Sequence, residues 1–523
     1  MTTIGEKLIR HLEAREVEFV FGIPGVHTIE HYKGLAGSSI RHITPRHEQG
    51  AGFMADGYAR ISGKPGVALV ITGPGVSNIL TAMAQSRADS IPMLVISAAN
   101  PIHTFNQGLG CLHELPDQRA TVDTVALHSF QIQTEDALDD AIEFAFKLFE
   151  SERPGPVHIA LPYEVAGLPV KKELPKLKQS SKPEADPNAI RQAAERLNAS
   201  KQPLVLAGGG MRWYGVELTN LAEKLDCPVV TTTNGRGLMH NHGLAVHASP
   251  SLPAIRDLIE KSDTVLILGS EIGRTDYDMY ATETMPDMHY SIRVDLSIEH
   301  LEKRHSDLKI CADAGSFCRQ LSESLERISR SGTNRAQLAR KKAFDDLSAE
   351  MKFMTEMLEA LRSTASKSIF VGDSTQAIYA GNLYYDHDRA GGWFNSSTGY
   401  GTLGFGIPAA IGASLAAPDE RVICLTGDGG AQFSLPELMV ATDENLPVAF
   451  IIWNNHGYKE IETSMVEAQV TPIGCDPSPP KFRLIADACG IPYLTSGLSA
   501  ADIKNTMKQV ANISGPVVYE IEF

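Results

Sequence analysis

Hydrophobic and polar positions follow two rhythms along this chain. Short apolar runs recur at Val67–Thr72, Met93–Ser97, Val157–Leu161, Leu204–Ala207, Val265–Leu268, Ile292–Val294, Ile369–Val371, Val422–Leu425, Ala449–Trp453 and Val517–Ile521. Between them lie amphipathic stretches, and this alternation predicts parallel sheets flanked by helices. The first amphipathic stretch, Met1 to Arg15, sets Ile4, Leu8, Ile9 and Leu12 at helical spacing between charges. It has neither the continuous apolar core nor the small-residue cleavage site of a secretory leader. The longest apolar runs, such as Val448–Trp453, have strand length and fall far short of a membrane span.

Two stretches break the rhythm: Val170 to Pro187, rich in Pro and Lys, and the polar Ser329–Asn334. Both have linker composition. A chain of 523 residues exceeds what one hydrophobic core organises, so three domains are expected, at 1–180, 181–332 and 333–523. The fold class is α/β, with three doubly wound parallel-sheet domains. No repeat with a period of 20–50 residues runs through it, which excludes a solenoid. Seven cysteines without a C-x-x-C pair speak against a disulfide framework and a structural zinc site. The net charge of −16 disfavours nucleic acid and anionic membranes as partners. A cytoplasmic location is expected.

The strongest chemical signal is Gly427-Asp428-Gly429 at the end of one apolar run, with Asn454-Asn455 at the end of the next and 24 residues between. A carboxylate and an amide oxygen on neighbouring strand ends can share one hard cation such as Mg²⁺, completed by phosphate oxygens. Glycines beside Asp428 let backbone approach a diphosphate. The bland alternative is a turn that merely ends a strand.

The pattern GDG-x₂₄-NN resembles the diphosphate-binding motif of the thiamine-diphosphate enzymes. Segments Phe21–Glu30, Arg46–Arg60 and Ile71–Asn78 resemble the pyrimidine-binding half of that family, in the same order. The resemblance implies a pyrimidine-binding, a central and a diphosphate-binding domain, with thiamine diphosphate and Mg²⁺ as cofactors. It places the metal on Asp428, Asn455 and the carbonyl of Gly457. Glu48 becomes the essential carboxylate that favours the imino tautomer of the aminopyrimidine, and Leu403 the bulky residue that keeps the cofactor bent. Further cofactor contacts fall on Pro24, Gly25, Thr72, Asn78, Thr375, Gln376, Gly401, Gly427, Gly429, Gly430 and Tyr458. The family builds its site between partner chains, so a homodimer is the minimal unit and a homotetramer the expected assembly.

Two glycine-rich strings are weaker signals. Gly50-Ala51-Gly52 follows polar residues instead of a strand end and reads as close helix packing. Ala207-Gly208-Gly209-Gly210 follows an apolar run, where acetolactate synthases bind FAD. It lacks the full dinucleotide fingerprint, and an empty central domain is expected over FAD. Asp295 could meet a ribose or cap the next helix.

The implied reaction is cleavage of the C–C bond beside the carbonyl of a 2-oxo acid. Loss of CO₂ followed by protonation gives an aldehyde, whereas capture by a second carbonyl gives the acetolactate-synthase-like carboligase outcome. His113, in Cys111-Leu112-His113-Glu114, is the candidate proton donor. The adjacent histidine pair of pyruvate decarboxylases is absent, and Val26 stands at the position of their active-site Asp. The strings FGIPGVHT, LHELPDQ and NNHGYKEI are similar to those of 5-guanidino-2-oxopentanoate decarboxylases. Glu114, Asp117, Glu460 and Glu462 are the carboxylates available to a cationic substrate tail.

Overall fold

In a computed structural model describing residues 2–178, 180–278 and 284–523, the chain forms three six-stranded, all-parallel sheets. Gln179, in the Pro/Lys-rich stretch, lies outside the described residues. The first sheet contains β1 (Phe19–Gly22), β2 (Arg41–Ile43), β3 (Gly66–Val70), β4 (Met93–Ala99), β5 (His128–Gln131) and β6 (Pro156–Pro162). The second contains β7 (Pro203–Ala207), β8 (Val229–Thr231), β9 (Ala245–Val246), β10 (Thr264–Leu268), β11 (Ser291–Asp295) and β12 (Leu308–Cys311). The third contains β13 (Ile369–Gly372), β14 (Trp393–Asn395), β15 (Val422–Gly427), β16 (Val448–Asn454), β17 (Tyr493–Ser496) and β18 (Val517–Glu522). The three-unit α/β architecture expected from the apolar rhythm is therefore present.

The strand orders are β2-β1-β3-β4-β6-β5, β12-β11-β10-β7-β8-β9 and β14-β13-β15-β16-β18-β17. The outer two share one topology, while the middle sheet has another. In each sheet the order reverses direction between two adjacent strands, and loops leaving the carboxyl ends there open a crevice. Those pairs are β1/β3, β7/β10 and β13/β15.

Every apolar run singled out in the sequence is a strand. The short strands that the runs did not reveal are β1, β2, β5, β8, β9, β12, β14 and β17. Several lie at sheet edges with exposed or half-exposed residues, as in β2 and β5. Others, such as β9, are two or three residues long. The amphipathic N-terminus is a helix, Ile4–Ala14, closed by a Thr3/Glu6 capping box and burying Ile4, Leu8, Ile9 and Leu12. The polar stretch Ser329–Asn334 is partly helical, since a helix spans Gly332–Asp345. Its Ala336, Ala339 and Ala343 join the apolar cluster of Leu204, Val246 and Val265 from the middle sheet.

The first and third sheets are joined by two crossing helices, Glu48–Ser62 and Gly406–Ala416. A Cβ at Gly57 would collide with the Ala409 carbonyl, and one at Gly412 with that of Met54. Of the Gly50-Ala51-Gly52 string, Gly52 serves close helix packing, since a Cβ there would meet Ala82 and Ile79 of the helix Pro74–Asp89, while Gly50 faces the Glu437 side chain. A buried polar hub sits at the same junction. Asp89 receives Arg60 Nη2 at 2.7 Å, Gln85 Nε2 at 2.9 Å, Thr398 Oγ1 at 2.9 Å and Asn234 Nδ2 at 3.1 Å. One carboxylate therefore ties all three parts of the chain together.

Candidate functional site

The N-terminal group of predicted residues gathers at the β1/β3 crevice. Pro24 and Gly25 lie in the turn after β1, and Thr72 in the turn after β3. Glu48 opens the helix Glu48–Ser62, and its Oε2 accepts from Asn78 Nδ2 at 2.9 Å. The start of that helix is held from the third sheet. Glu437 accepts the N–H groups of Arg46 (3.0 and 3.1 Å) and His47 (3.0 Å). Burial pushes the Glu437 carboxyl up to about 7, against the lowering effect of those two N–H groups. Glu437 was not singled out in the sequence; a lone Glu on a short 3₁₀ turn gives no signal of its own.

The Thr72 hydroxyl donates to Gln118 Oε1 at 2.5 Å, and Gly73 N–H reaches the same oxygen at 3.2 Å. Gln118 in turn donates to Ser97 Oγ (3.0 Å) and the Ala98 carbonyl (2.9 Å). It thereby latches the β3 turn to β4. Gln118 ends the LHELPDQ string, which was the only sequence clue to it. His113 packs over Gly73 and adopts a left-handed φ of 59°. Its ring lies 5.3 Å from that of His27, centroid to centroid. His27 was likewise missed, although it sits in the quoted FGIPGVHT string.

The C-terminal group gathers at β13, β15 and β16. Gly427 ends β15, Asp428, Gly429 and Gly430 follow it, and Asn455 follows β16. Gly457 N–H donates to Asp428 Oδ2 at 2.9 Å, folding the β16 loop over the carboxylate. Burial raises the Asp428 carboxyl, opposed by N–H groups from Gly457, Asn455, Asp428 and Gly429. With Asn455 Nδ2 on Gln376 Oε1 at 2.9 Å, Asn455 Oδ1 faces two further oxygens: Asp428 Oδ1 at 3.1 Å and Gly457 O at 3.0 Å. Three oxygens converging without a hydrogen between them suit a hard divalent cation. Turned over, the amide would instead donate to both, which is the orientation a cation-free site favours. Among the described residues no cluster of three or more His, Cys, Asp or Glu side chains is arranged for a metal. The donor set here is one carboxylate, one amide and one carbonyl, as hard-ion chemistry prefers.

Thr375 caps the helix Gln376–Leu383 at the end of β13. Tyr458 packs its ring against Gly429, leaving no room there for a Cβ. Gly401 has φ +76°, which accounts for glycine at that turn, and Leu403 is half-buried beyond it. Asp373, just after β13, accepts Gly406 N–H at 2.9 Å and Ser374 N–H at 2.8 Å, fixing the start of the helix that follows the Leu403 loop.

Of the four acidic residues considered for a cationic tail, three are engaged. Glu114 accepts from the N–H of Cys111 (3.0 Å) and Leu109 (3.3 Å), Asp117 caps its helix on Ala120, and Glu462 pairs with Lys459 at 2.7 Å. Glu460 has the Gln376 side chain as a partner, and burial raises its carboxyl. Around the β7/β10 crevice a cleft of about 940 Å³ opens, lined among others by Gly209, Gly210, Ser270, Glu271, Asp295 and Asp313. Asp295 accepts Ser297 N–H at 3.0 Å, and Ser297 is the residue that caps the following helix.

Comparison with known proteins agrees across the chain. Residues 2–121 match the thiamine pyrophosphate enzyme N-terminal TPP-binding domain, 190–321 the central domain and 373–521 the C-terminal TPP-binding domain. A probable 2-ketoarginine decarboxylase from Pseudomonas aeruginosa is 39% identical over 507 residues, covering 93% of this chain and 88% of that protein. A probable acetolactate synthase large subunit from Methanococcus aeolicus is 31% identical, covering 86% and 80%. The acetolactate synthase isozyme 1 large subunit of Escherichia coli is 29% identical, covering 99% and 93%.

Proposed function

The chain belongs to the thiamine pyrophosphate enzyme family, a thiamine-diphosphate-dependent 2-oxo acid decarboxylase in reaction class, and from that premise we propose that its substrate is 5-guanidino-2-oxopentanoate. The observation that carries this is the 39% identity to a 2-ketoarginine decarboxylase over nearly the whole length. Glu460 supports it, as a carboxyl beside Gln376 that burial holds toward its neutral form and that an arriving guanidinium would draw to the charged one.

The proposed roles follow from the two half-sites. Bound thiamine diphosphate supplies the nucleophilic carbon and the electron sink that make CO₂ loss possible. Asp428, Asn455 and the Gly457 carbonyl would hold Mg²⁺, and Gly427, Gly429, Gly430, Thr375, Gln376 and Tyr458 would surround the diphosphate. Glu48 would hold a proton toward the pyrimidine, with Pro24, Gly25, Thr72 and Asn78 around it. Gly401 and Leu403 would stand against the cofactor between the two ends. His113 delivers the proton that completes the aldehyde.

The working unit in this reading is a homodimer, assembled further into a tetramer in the cytoplasm. Exposed apolar residues flank both half-sites in sequence: Val26 (64% exposed), Ile29 (56%) and Leu112 (62%) on one side, Tyr400 (53%) and Phe433 (57%) on the other. Apolar side chains so placed call for a covering surface. Among the described residues no helix is long and apolar enough to cross a membrane. The central domain in this reading carries no FAD, since Gly208-Gly209-Gly210 lacks the full dinucleotide fingerprint.

The test is a panel of 2-oxo acids incubated with thiamine diphosphate and Mg²⁺, reading CO₂ and product mass. The expected product is 4-guanidinobutanal, with 5-guanidino-2-oxopentanoate the preferred substrate. A 2-hydroxy-2-methyl-3-oxo acid from pyruvate would establish the carboligase reading, which the acetolactate synthase relatives favour.

A further inference from the structure

We propose that His27 is a second titratable group of the substrate pocket, paired with His113 so that the two imidazoles seat the carboxylate of the 2-oxo acid. The proposal rests on reading the Glu48 half-site as the pyrimidine seat.

The geometry comes from three loops. After β1 the chain turns through Val26–Thr28, a 3₁₀ turn tied by Gly25 N–H donating to Thr28 Oγ1 at 3.0 Å and the Thr28 hydroxyl donating to the Gly25 carbonyl at 2.9 Å. The tie fixes where His27 projects. Its ring meets His113 at 5.3 Å and Tyr163 at 5.4 Å between centroids. His113 covers Gly73 on the β3 turn, and two residues on, the Cβ position of Gly75 lies 3.5 Å from Glu48 Oε1. The pair therefore sits on the same β3 turn that reaches Glu48 two residues further on. Nδ1 of each histidine is buried and has no hydrogen-bond partner.

A buried ring nitrogen without a partner is costly, and here two occur side by side. Burial, and next the charge of His113, lower the titration of His27. Of the acids nearest in the chain, Glu114 accepts the Cys111 and Leu109 N–H groups, Glu164 accepts the Ile102 N–H at 2.7 Å, and Glu30 pairs with Lys33 through Oε1 while its Oε2 is buried without a partner. Two imidazoles so close resist carrying two protons unless an anion accompanies them. The substrate carboxylate is that anion, so its arrival draws a proton onto the pair. When the C1–C2 bond breaks, CO₂ leaves neutral and the electron pair stays on the former carbonyl carbon. The anion has gone, an imidazole N–H bond breaks, and the proton forms the new C–H bond. The same pair thus binds the charge and returns the proton.

The probe is the monomethyl ester of pentanoylphosphonate, which carries one negative charge beside a carbonyl and has no CO₂ to lose. Titrated calorimetrically into the cofactor-loaded full chain in buffers of different ionisation enthalpy, it should bind with net proton uptake. In His27→Gln the uptake should fall and affinity drop roughly tenfold, the loss of one charge-assisted contact. In His113→Gln, histidine resonances should show His27 titrating at higher pH, because its neighbour's charge has been removed. Unchanged uptake and affinity in His27→Gln, with cofactor affinity and thermal midpoint as in the parent, would overturn the pairing. If His27→Gln fails to fold, His27→Asn takes its place. Absence of thiamine diphosphate binding by the parent protein would instead overturn the cofactor reading itself.

Discussion

The first and third sheets share one strand order, β2-β1-β3-β4-β6-β5 matching β14-β13-β15-β16-β18-β17, yet their crevices carry opposite chemistry. At β1/β3 the chain presents Glu48, Asn78, His27 and His113. At β13/β15 it presents Asp428, Asn455 and the Gly457 carbonyl, a set of oxygens fit for a cation. Each crevice also strains a histidine into the left-handed region: His113 at φ 59° in one and His456 at φ 59° in the other. The shared topology supplies a place, and the loop residues decide what it does. The middle sheet, with its different order, borders a cleft of about 940 Å³ whose lining includes Glu271, Asp295 and Asp313.

The comparison can be broken from either side. The largest effect is expected at the third sheet, where Asp428→Ala should abolish Mg²⁺-dependent cofactor retention and activity together. Dialysis with and without chelator checks this, and a variant holding thiamine diphosphate normally in chelator would remove the metal assignment. Glu48→Gln should lower turnover by about 10²–10⁴-fold while leaving metal-dependent retention intact. If the half-sites meet across a dimer, mixing Glu48→Gln with Asp428→Ala protomers should restore part of the activity. No restoration despite demonstrated subunit exchange would place the site within one chain.

Two smaller effects probe the junction between the sheets. Gly57→Ala forces a methyl group into the Ala409 carbonyl, so it should destabilise by about 1–3 kcal/mol, read as a lowered thermal midpoint. The smallest effect concerns Glu437, whose carboxyl sits at about 7 in the folded chain against an ordinary 4.5. The folded state then holds a proton that the unfolded chain has released, so stability should fall as pH rises from 4.5 through about 7. Glu437→Gln should flatten that decline, measured as the denaturant midpoint at pH 5 and pH 8. An identical slope in both proteins would mean that Glu437 does not titrate there.

Much of this was legible in the sequence because the signals were local. A strand buried on both faces must be a continuous apolar run, so the central strands β3, β4, β10, β13, β15 and β16 declared themselves. That Asp428 and Asn455 lie side by side was legible for a related reason: they follow two consecutive strands, and parallel pairing puts such ends together, with Gly427 opposite Trp453. Edge strands such as β5 and β17 stayed hidden, since half-exposed residues dilute the pattern.

By itself, then, the sequence determined the α/β class, the family motifs and the identity of the acids, amides and glycines at the strand ends. Only the tertiary structure decided which side chains remained available for chemistry. Glu114 and Asp117 spend their carboxylates on nearby backbone N–H groups, whereas Glu460 is left to its Gln376 contact. Gln118 becomes a latch, and Glu437 reaches across 391 residues to Arg46. His27 and His113 become a pair because separate loops end at one crevice. Hydrogen bonds and ring contacts form between atoms adjacent in space, and residues distant along the chain meet only when the sheets and helices have packed.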